Sequence, residues 1–297
     1  VYGVGAAVAE RFLAARFGEW LAHKTYVYIS DGGIQEEISQ GAGRIAGHLG
    51  LSNLVMFYDA NDVQLSHKVS DTTSEDCAAK YRAWGWAVHE VDGHDYAQMR
   101  KALDQAITES DRPTLIIGHT TMGKGAKRAD GSVWEGDVKQ HGAPFGKDAT
   151  LATVKALGGD PENPFVLVPE VLEGVAKRHQ ELAEVVAKRR AVKADWAKSN
   201  PELAATYDKY FEPNAFAIDW DAISFVPGMA SRNASAKVME SIAVQVPNFV
   251  MMSADLADAD KTEAFLKKTK IFRKGDFTGQ FLQAGVAELT MAALAVG

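Results

Sequence analysis

The first half of the chain alternates short, continuously apolar runs with segments of helical period, and this alternation limits the possible folds more than any other feature. Thr25–Ile29, Leu54–Tyr58, Ala87–Val91 and Pro113–Ile117 are rich in β-branched and aromatic residues and too short to be helices. Helical patterns lie between them, at about residues 34–49, 73–84 and 95–109. Strands that are apolar throughout have both faces covered, and strands separated by helices run parallel. The expected fold class is therefore α/β, a doubly wound parallel sheet with helices on both faces.

Beyond this layer the texture changes. Pro169 to about Lys198 reads as one long charged helix, with Pro169 in its first turn and Val171, Leu172, Val175, Leu182, Val185 and Val186 as an apolar stripe. Pro201 and Phe211-Glu212-Pro213-Asn214 interrupt it. Ala230–Val244 then reads as a helix and Phe249–Ser253 as a strand, the opening of a second α/β unit. For 297 residues, at about 150 per domain, two domains are expected, 1–198 and 199–297. The chain opens in a helical pattern, VYGVGAAVAERFLAARF, and closes in another, GVAELTMAALAVG, so it reads as a piece of a longer protein.

Composition removes several function classes. Hydrophobic residues make up 46% and charged residues 24%, which excludes disorder and fibrous structure. A net charge of −7 argues against a broad nucleic-acid surface. No apolar run is long enough to span a bilayer, and Glu10 and Arg11 rule out a signal peptide at the start. The single cysteine, Cys77, cannot form an intrachain disulfide, so a reducing, cytoplasmic location is expected.

The chemistry concentrates in YVYISDGGIQEEISQGAGRIAGHLGLSNLVMFYDANDVQL. A strand runs into Asp31-Gly32-Gly33 and then a helix, and the next strand runs into Asp59-Ala60-Asn61-Asp62-Val63. Ligands of open parallel sheets bind beyond the carboxyl ends of the strands. The 28 residues between Gly32 and Asn61 suffice for one helix and one returning strand, which puts Asp31 and Asn61 at neighbouring strand tips. A carboxylate, an amide oxygen and a backbone carbonyl just after Asn61 form half of a hard-oxygen shell for Mg²⁺ or Ca²⁺, and diphosphate oxygens and water would complete it. Taken alone, Asp-Gly is an ordinary turn and Asn61 an ordinary loop residue. Their joint spacing points to a metal–diphosphate site.

This stretch resembles the thiamine diphosphate motif, in its transketolase version. FYDANDVQLSHKVSD is similar to that family's metal-ligand segment, and Gln140-His141-Gly142-Ala143-Pro144-Phe145-Gly146 to its His-Gly-Ala-Pro-Leu-Gly segment. Ala230-Ser231-Arg232-Asn233-Ala234-Ser235, Ser253-Ala254-Asp255-Leu256 and Gly285-Val286-Ala287-Glu288 follow in the family's order, so the resemblance covers essentially the whole chain. It implies most of a diphosphate-binding domain and the beginning of a pyrimidine-binding domain, from a homodimer with active sites at the subunit interface. The implied reaction moves a two-carbon ketol unit from a ketose phosphate to an aldose phosphate, as in the pentose phosphate pathway; the fragment alone is expected to be inactive. Asp31, Asn61 and the carbonyl of Val63 would ligate the metal, and Gly32 would approach the diphosphate. Leu65 would pack on the thiazolium, and His141 would contact both diphosphate and substrate. Arg232 would bind the sugar phosphate. Glu288 would hydrogen-bond the aminopyrimidine, catalytically, in a cofactor held mainly by the partner subunit, and Glu36 would join a carboxylate network across the dimer.

Plainer readings exist for several of these residues. His141 is one of eight histidines, Arg232 reads equally as a solvated charge near a helix start, and Lys188-Arg189-Arg190 reads as a solvated helix face. Glu288 interrupts an apolar run from Phe281 to Val296, where an unpartnered carboxylate is costly. The chain also departs from the family. Ser30 replaces the first glycine of the motif, and Asp62 stands where glycine is common and adds a negative charge near the metal. Ala259 and Asp260 replace a Ser-Asn pair that helps hold the substrate phosphate. The rival readings are another thiamine enzyme (a dihydroxyacetone synthase or a deoxyxylulose phosphate synthase) and a non-catalytic split subunit that binds the cofactor and dimerises.

Overall fold

The computed structural model describes residues 1–297. In chain order the elements are α1 (Tyr2–Phe17), β1 (Thr25–Ser30), α2 (Asp31–Gln35), α3 (Glu37–Leu49), β2 (Leu54–Ala60), α4 (Cys77–Ala83), β3 (Ala87–Asp92), α5 (Tyr96–Thr108) and β4 (Thr114–His119). Then follow α6 (Lys147–Ala156), α7 (Pro169–Ser199), α8 (Pro201–Lys209), α9 (Ser231–Gln245), β5 (Met251–Ser253), α10 (Glu263–Leu266), β6 (Phe281–Gln283) and α11 (Glu288–Leu294). The four strands read from the sequence form one parallel sheet in the order β1-β2-β4-β3.

Helices cover both faces, as continuous apolar strands require. One face packs Met56, Tyr58, Leu115 and Ile117 against α1 and α3, through Val8, Phe12, Ile45 and Leu49. The other packs Val55, Ile116 and Val91 against Ala102 and Ala106 of α5. Register places Ser30 beside Asp59, Asp59 beside Gly118 and Ala60 beside His119, so the carboxyl ends of the strands share one edge.

Two helical expectations change. The segment at 34–49 is broken at Glu36, which takes an extended backbone (φ −55, ψ 128) between α2 and α3. The segment at 73–84 starts later, at Cys77, where the Asp76 side chain accepts from Ala79 N–H and caps the helix.

The later part begins a second parallel pair, β5 with β6, beneath α9 and α10, with Met239, Ala243, Phe265 and Phe281 between them. Its Phe272, Phe277, Leu282, Ala284 and Leu294 also enter the core built by α1 and β2, so one apolar interior runs across both parts of the chain. Between them α7 buries none of its 31 residues, and its apolar stripe stays exposed. It is tied down near its end, where Trp196 packs on Trp20 and Phe17 and Arg189 reaches the carbonyl of Ala22. Arg189 is therefore not merely part of a solvated face.

Candidate active site at the carboxyl edge of the sheet

Asp31 follows the last residue of β1 and is 2% exposed. The parallel register sets Tyr58 beside Ile29, so the Tyr58 hydroxyl donates to Asp31 Oδ1 at 2.6 Å. Just beyond β2, the Asn61 N–H donates to Asp31 Oδ2 at 3.0 Å. Burial pushes the Asp31 carboxyl up from its ordinary value; these two hydrogen bonds oppose the shift, and Asp59 and Asp62 add to it. A buried carboxylate with two anionic neighbours is a place where a cation lowers the energy.

The turn that follows is self-organised. Asn61 Oδ1 accepts from the Val63 N–H at 3.0 Å, and Val63 is buried. Asp62 has φ 61, the left-handed region that favours glycine. Aspartate tolerates this conformation by bonding locally, here by accepting from Ser70 N–H (2.9 Å) and Ser70 hydroxyl (3.2 Å). The Ser70 N–H holds the Asp62 carboxyl below its ordinary value, and Lys68 lies 3.6 Å away. Ser30, the other departure in the motif, has φ −100 and ψ 175, extended backbone that any residue adopts.

The donor set suits a hard divalent ion: one carboxylate just after β1, and one amide oxygen and one backbone carbonyl in the turn just after β2. No three His, Cys, Asp or Glu side chains cluster closely enough to cage a metal by themselves. In front of Gly32 an added Cβ would meet nothing within 4 Å, so there is room there for an anion.

Leu65 projects from the same loop, 70% exposed. His141 is exposed and makes no side-chain hydrogen bond; it ends a short helical turn (Val138–Gln140) in the loop that follows β4. That loop starts beside the Asn61 turn, because Thr120 N–H donates to Ala60 O at 3.1 Å and the Thr120 hydroxyl donates to Asp59. Sequence reasoning missed Thr120, Tyr58 and Gln140. Gln140 is buried, yet neither atom of its amide has a partner. Tyr58 read simply as an apolar strand residue, and only the register reveals what its hydroxyl meets.

A cavity of about 860 Å³ opens beside Gly32 and is also lined by Glu36, Glu37, Arg44 and Glu288. Glu288 does not sit in apolar surroundings: the run from Phe281 splits into β6 and α11, and Glu288 is exposed in the first turn of α11. The cost of burying a carboxylate therefore gives no argument for its function; its place in the same cavity as Gly32 does. Arg44 donates to the carbonyl of Ala284 at 2.9 Å, which fixes the chain just before α11. Gly41 of α3 lies so close to Thr290 of α11 that a Cβ there would overlap the threonine hydroxyl.

Arg232, the second residue of α9, is exposed and does not line this cavity. Asp260 spends its carboxylate on the N–H and hydroxyl of Thr262, at 2.9 and 2.8 Å. The structure thus brings Asp31, Asn61 and Val63 together, and Gly32 with Glu36 and Glu288. It leaves Arg232 apart from both groups.

The profile of a family described as transketolase, thiamine diphosphate binding domain, matches residues 1–214. Transketolase 2 of Xanthobacter flavus is 34% identical, over 99% of this chain and 43% of that protein. The transketolase of Treponema pallidum is 32% identical, over 99% and 45%. A solved transketolase from Leishmania mexicana superposes with a TM-score of 0.89 at 28% identity, covering 99% of this chain and 44% of that one. The chain thus spans under half the length of these relatives. With that spacing of Asp31 and Asn61 at the strand ends, and that match in sequence and fold, the chain belongs to the transketolase family and carries its thiamine diphosphate binding domain.

Proposed function

We propose that the protein to which this chain belongs is a transketolase, which transfers a two-carbon ketol unit from a ketose phosphate to an aldose phosphate. The observation that carries the proposal is the Asp31–Asn61 pair, a buried carboxylate and a carbonyl-rich turn held together at the carboxyl edge of a parallel sheet. Asp31, Asn61 and the Val63 carbonyl hold Mg²⁺ or Ca²⁺, through which the diphosphate is bound, and the backbone at Gly32 approaches that diphosphate. Thiamine diphosphate supplies the carbanion chemistry, and the protein orients it and excludes water. Leu65 packs on the thiazolium, His141 donates to the substrate oxygen as charge develops, and Arg232 holds the sugar phosphate. Glu288 hydrogen-bonds the aminopyrimidine across a homodimer interface, beside Glu36. A transketolase from Pichia stipitis was solved with fructose-6-phosphate, which supports sugar phosphates as the substrate class.

The Cys77 thiol is pushed up to about 11 by burial, so it stays protonated and a poor nucleophile at neutral pH. No helix is long and apolar enough to cross a membrane. The test is a donor–acceptor assay on the full-length protein with xylulose 5-phosphate as donor. Turnover with ribose 5-phosphate as acceptor supports the proposal, and turnover with formaldehyde alone overturns it.

A further inference from the structure

The turn after β3 and the loop after β4 meet at the same sheet edge as Asp31. His94 lies in that turn, and its Nε2 is 2.9 Å from the backbone nitrogen of Thr121. A backbone N–H can only donate, so Nε2 is the acceptor and the imidazole is neutral with its proton on Nδ1. The turn is built to present it. Gly93 N–H donates to His119 O at 2.9 Å, and His94 N–H donates to Asp92 Oδ1 at 2.9 Å. A Cβ on Gly93 would overlap the Thr120 methyl, so glycine alone lets the two segments close.

From Thr121 the path to the candidate metal turn is short. Thr120 N–H donates to the carbonyl of Ala60, its hydroxyl donates to Asp59, and Asn61 is the next residue. Further along, the same loop carries Gln140 and His141.

We propose that His94 is a positioning residue. Its imidazole, by accepting from Thr121 N–H, holds the loop of residues 120–146 against the Asn61 turn and so sets where His141 stands. The role assigned to the loop rests on the thiamine diphosphate reading of the site. Among the side chains, only His94 accepts from the Thr121 N–H.

The test uses the full-length protein with His94→Leu, which cannot accept, and His94→Gln, whose Oε1 accepts at every pH. Two quantities are read: hydrogen exchange at the Thr121 amide, corrected for the intrinsic rate, and the affinity for thiamine diphosphate with Mg²⁺. At about pH 8, His94→Leu should lose protection at Thr121 and bind cofactor on the order of 10-fold more weakly, with an unchanged Tm. His94→Gln should keep both the protection and the affinity. Unchanged Thr121 exchange in His94→Leu overturns the latch, and an equal loss in His94→Gln overturns the role of an accepting side chain at this position. If His94→Leu does not fold, His94→Ala read by the same two measurements decides the matter. If the unsubstituted protein binds no thiamine diphosphate, the reading of the site fails, while exchange at Thr121 still decides the latch.

Discussion

Asp31 and His141 are assigned to one reaction centre, yet they are held in opposite ways. Asp31 is 2% exposed and its carboxylate is gripped by Tyr58 and Asn61, both delivered by the register of β1 against β2. His141 stands exposed on a connection rich in glycine, with Gly142 at φ 77 and Gly146 at φ 74, and its imidazole touches no hydrogen-bonding partner. Residues at the tips of paired strands are placed by the sheet, whose geometry the core enforces. Residues on the long loop are placed by a few local bonds and by whatever the loop closes over. The contrast separates an anchoring half built by the sheet from a half that rests on a loop.

The largest effect expected from this contrast is at the anchor. Asp31→Ala in the full-length protein should abolish metal-dependent binding of thiamine diphosphate, while Glu37→Ala should change it little; cofactor titration with and without chelator measures both. Binding that survives the chelator would show that Asp31 is not a metal ligand. At the loop, His141→Ala should lower turnover on the order of 10²-fold, the usual loss for one donor to a developing charge, with a smaller change in cofactor affinity. Steady-state kinetics beside a binding titration separates the two, and normal turnover would leave His141 an ordinary loop histidine.

Tyr58→Phe leaves the buried Asp31 carboxylate with one donor fewer, at a cost of about 1–3 kcal/mol in unfolding free energy without cofactor. Denaturant melts give that number, and no change would mean the grip on Asp31 is unimportant to the fold. The smallest effect sharpens the comparison most. Glu288 shares a cavity with Gly32 of its own chain, whereas family resemblance implies that it serves the partner's cofactor. Inactive Asn61→Ala chains mixed with inactive Glu288→Ala chains should recover about a quarter of full activity if the site is shared, because half the dimers then hold one intact site. Full subunit exchange without recovery would place both residues in one chain's site.

The sheet was legible because its strands are buried on both faces and so read as unbroken apolar runs between helical periods, and Asp31 and Asn61 were legible because they end two such runs. The break at Glu36 was not, since Gln35-Glu36-Glu37 contains neither proline nor glycine to mark it. The grip of Tyr58 needed the register, which sequence period alone does not give. In α7 the periodicity marked an apolar face correctly, but a period reports which residues share a side and not what lies against it; Leu182 and Val185 remain open. Glu288 shows the reverse error, where an apolar neighbourhood in sequence became an exposed helix start in space.

The contact between Gly41 and Thr290 has a consequence for how this protein can vary. Alanine is normally the better helix residue by about 1 kcal/mol, so drift or design for stability pulls position 41 away from glycine. A methyl group there meets the Thr290 side chain and pries α11 off α3, moving the helix that begins at Glu288. Gains in local helix strength at position 41 are thus offset by a change in the aim of Glu288, which lies only two residues before the buried Thr290. Two positions 249 residues apart in the chain are expected to change only as a pair, with a smaller residue at 290 preceding any larger one at 41.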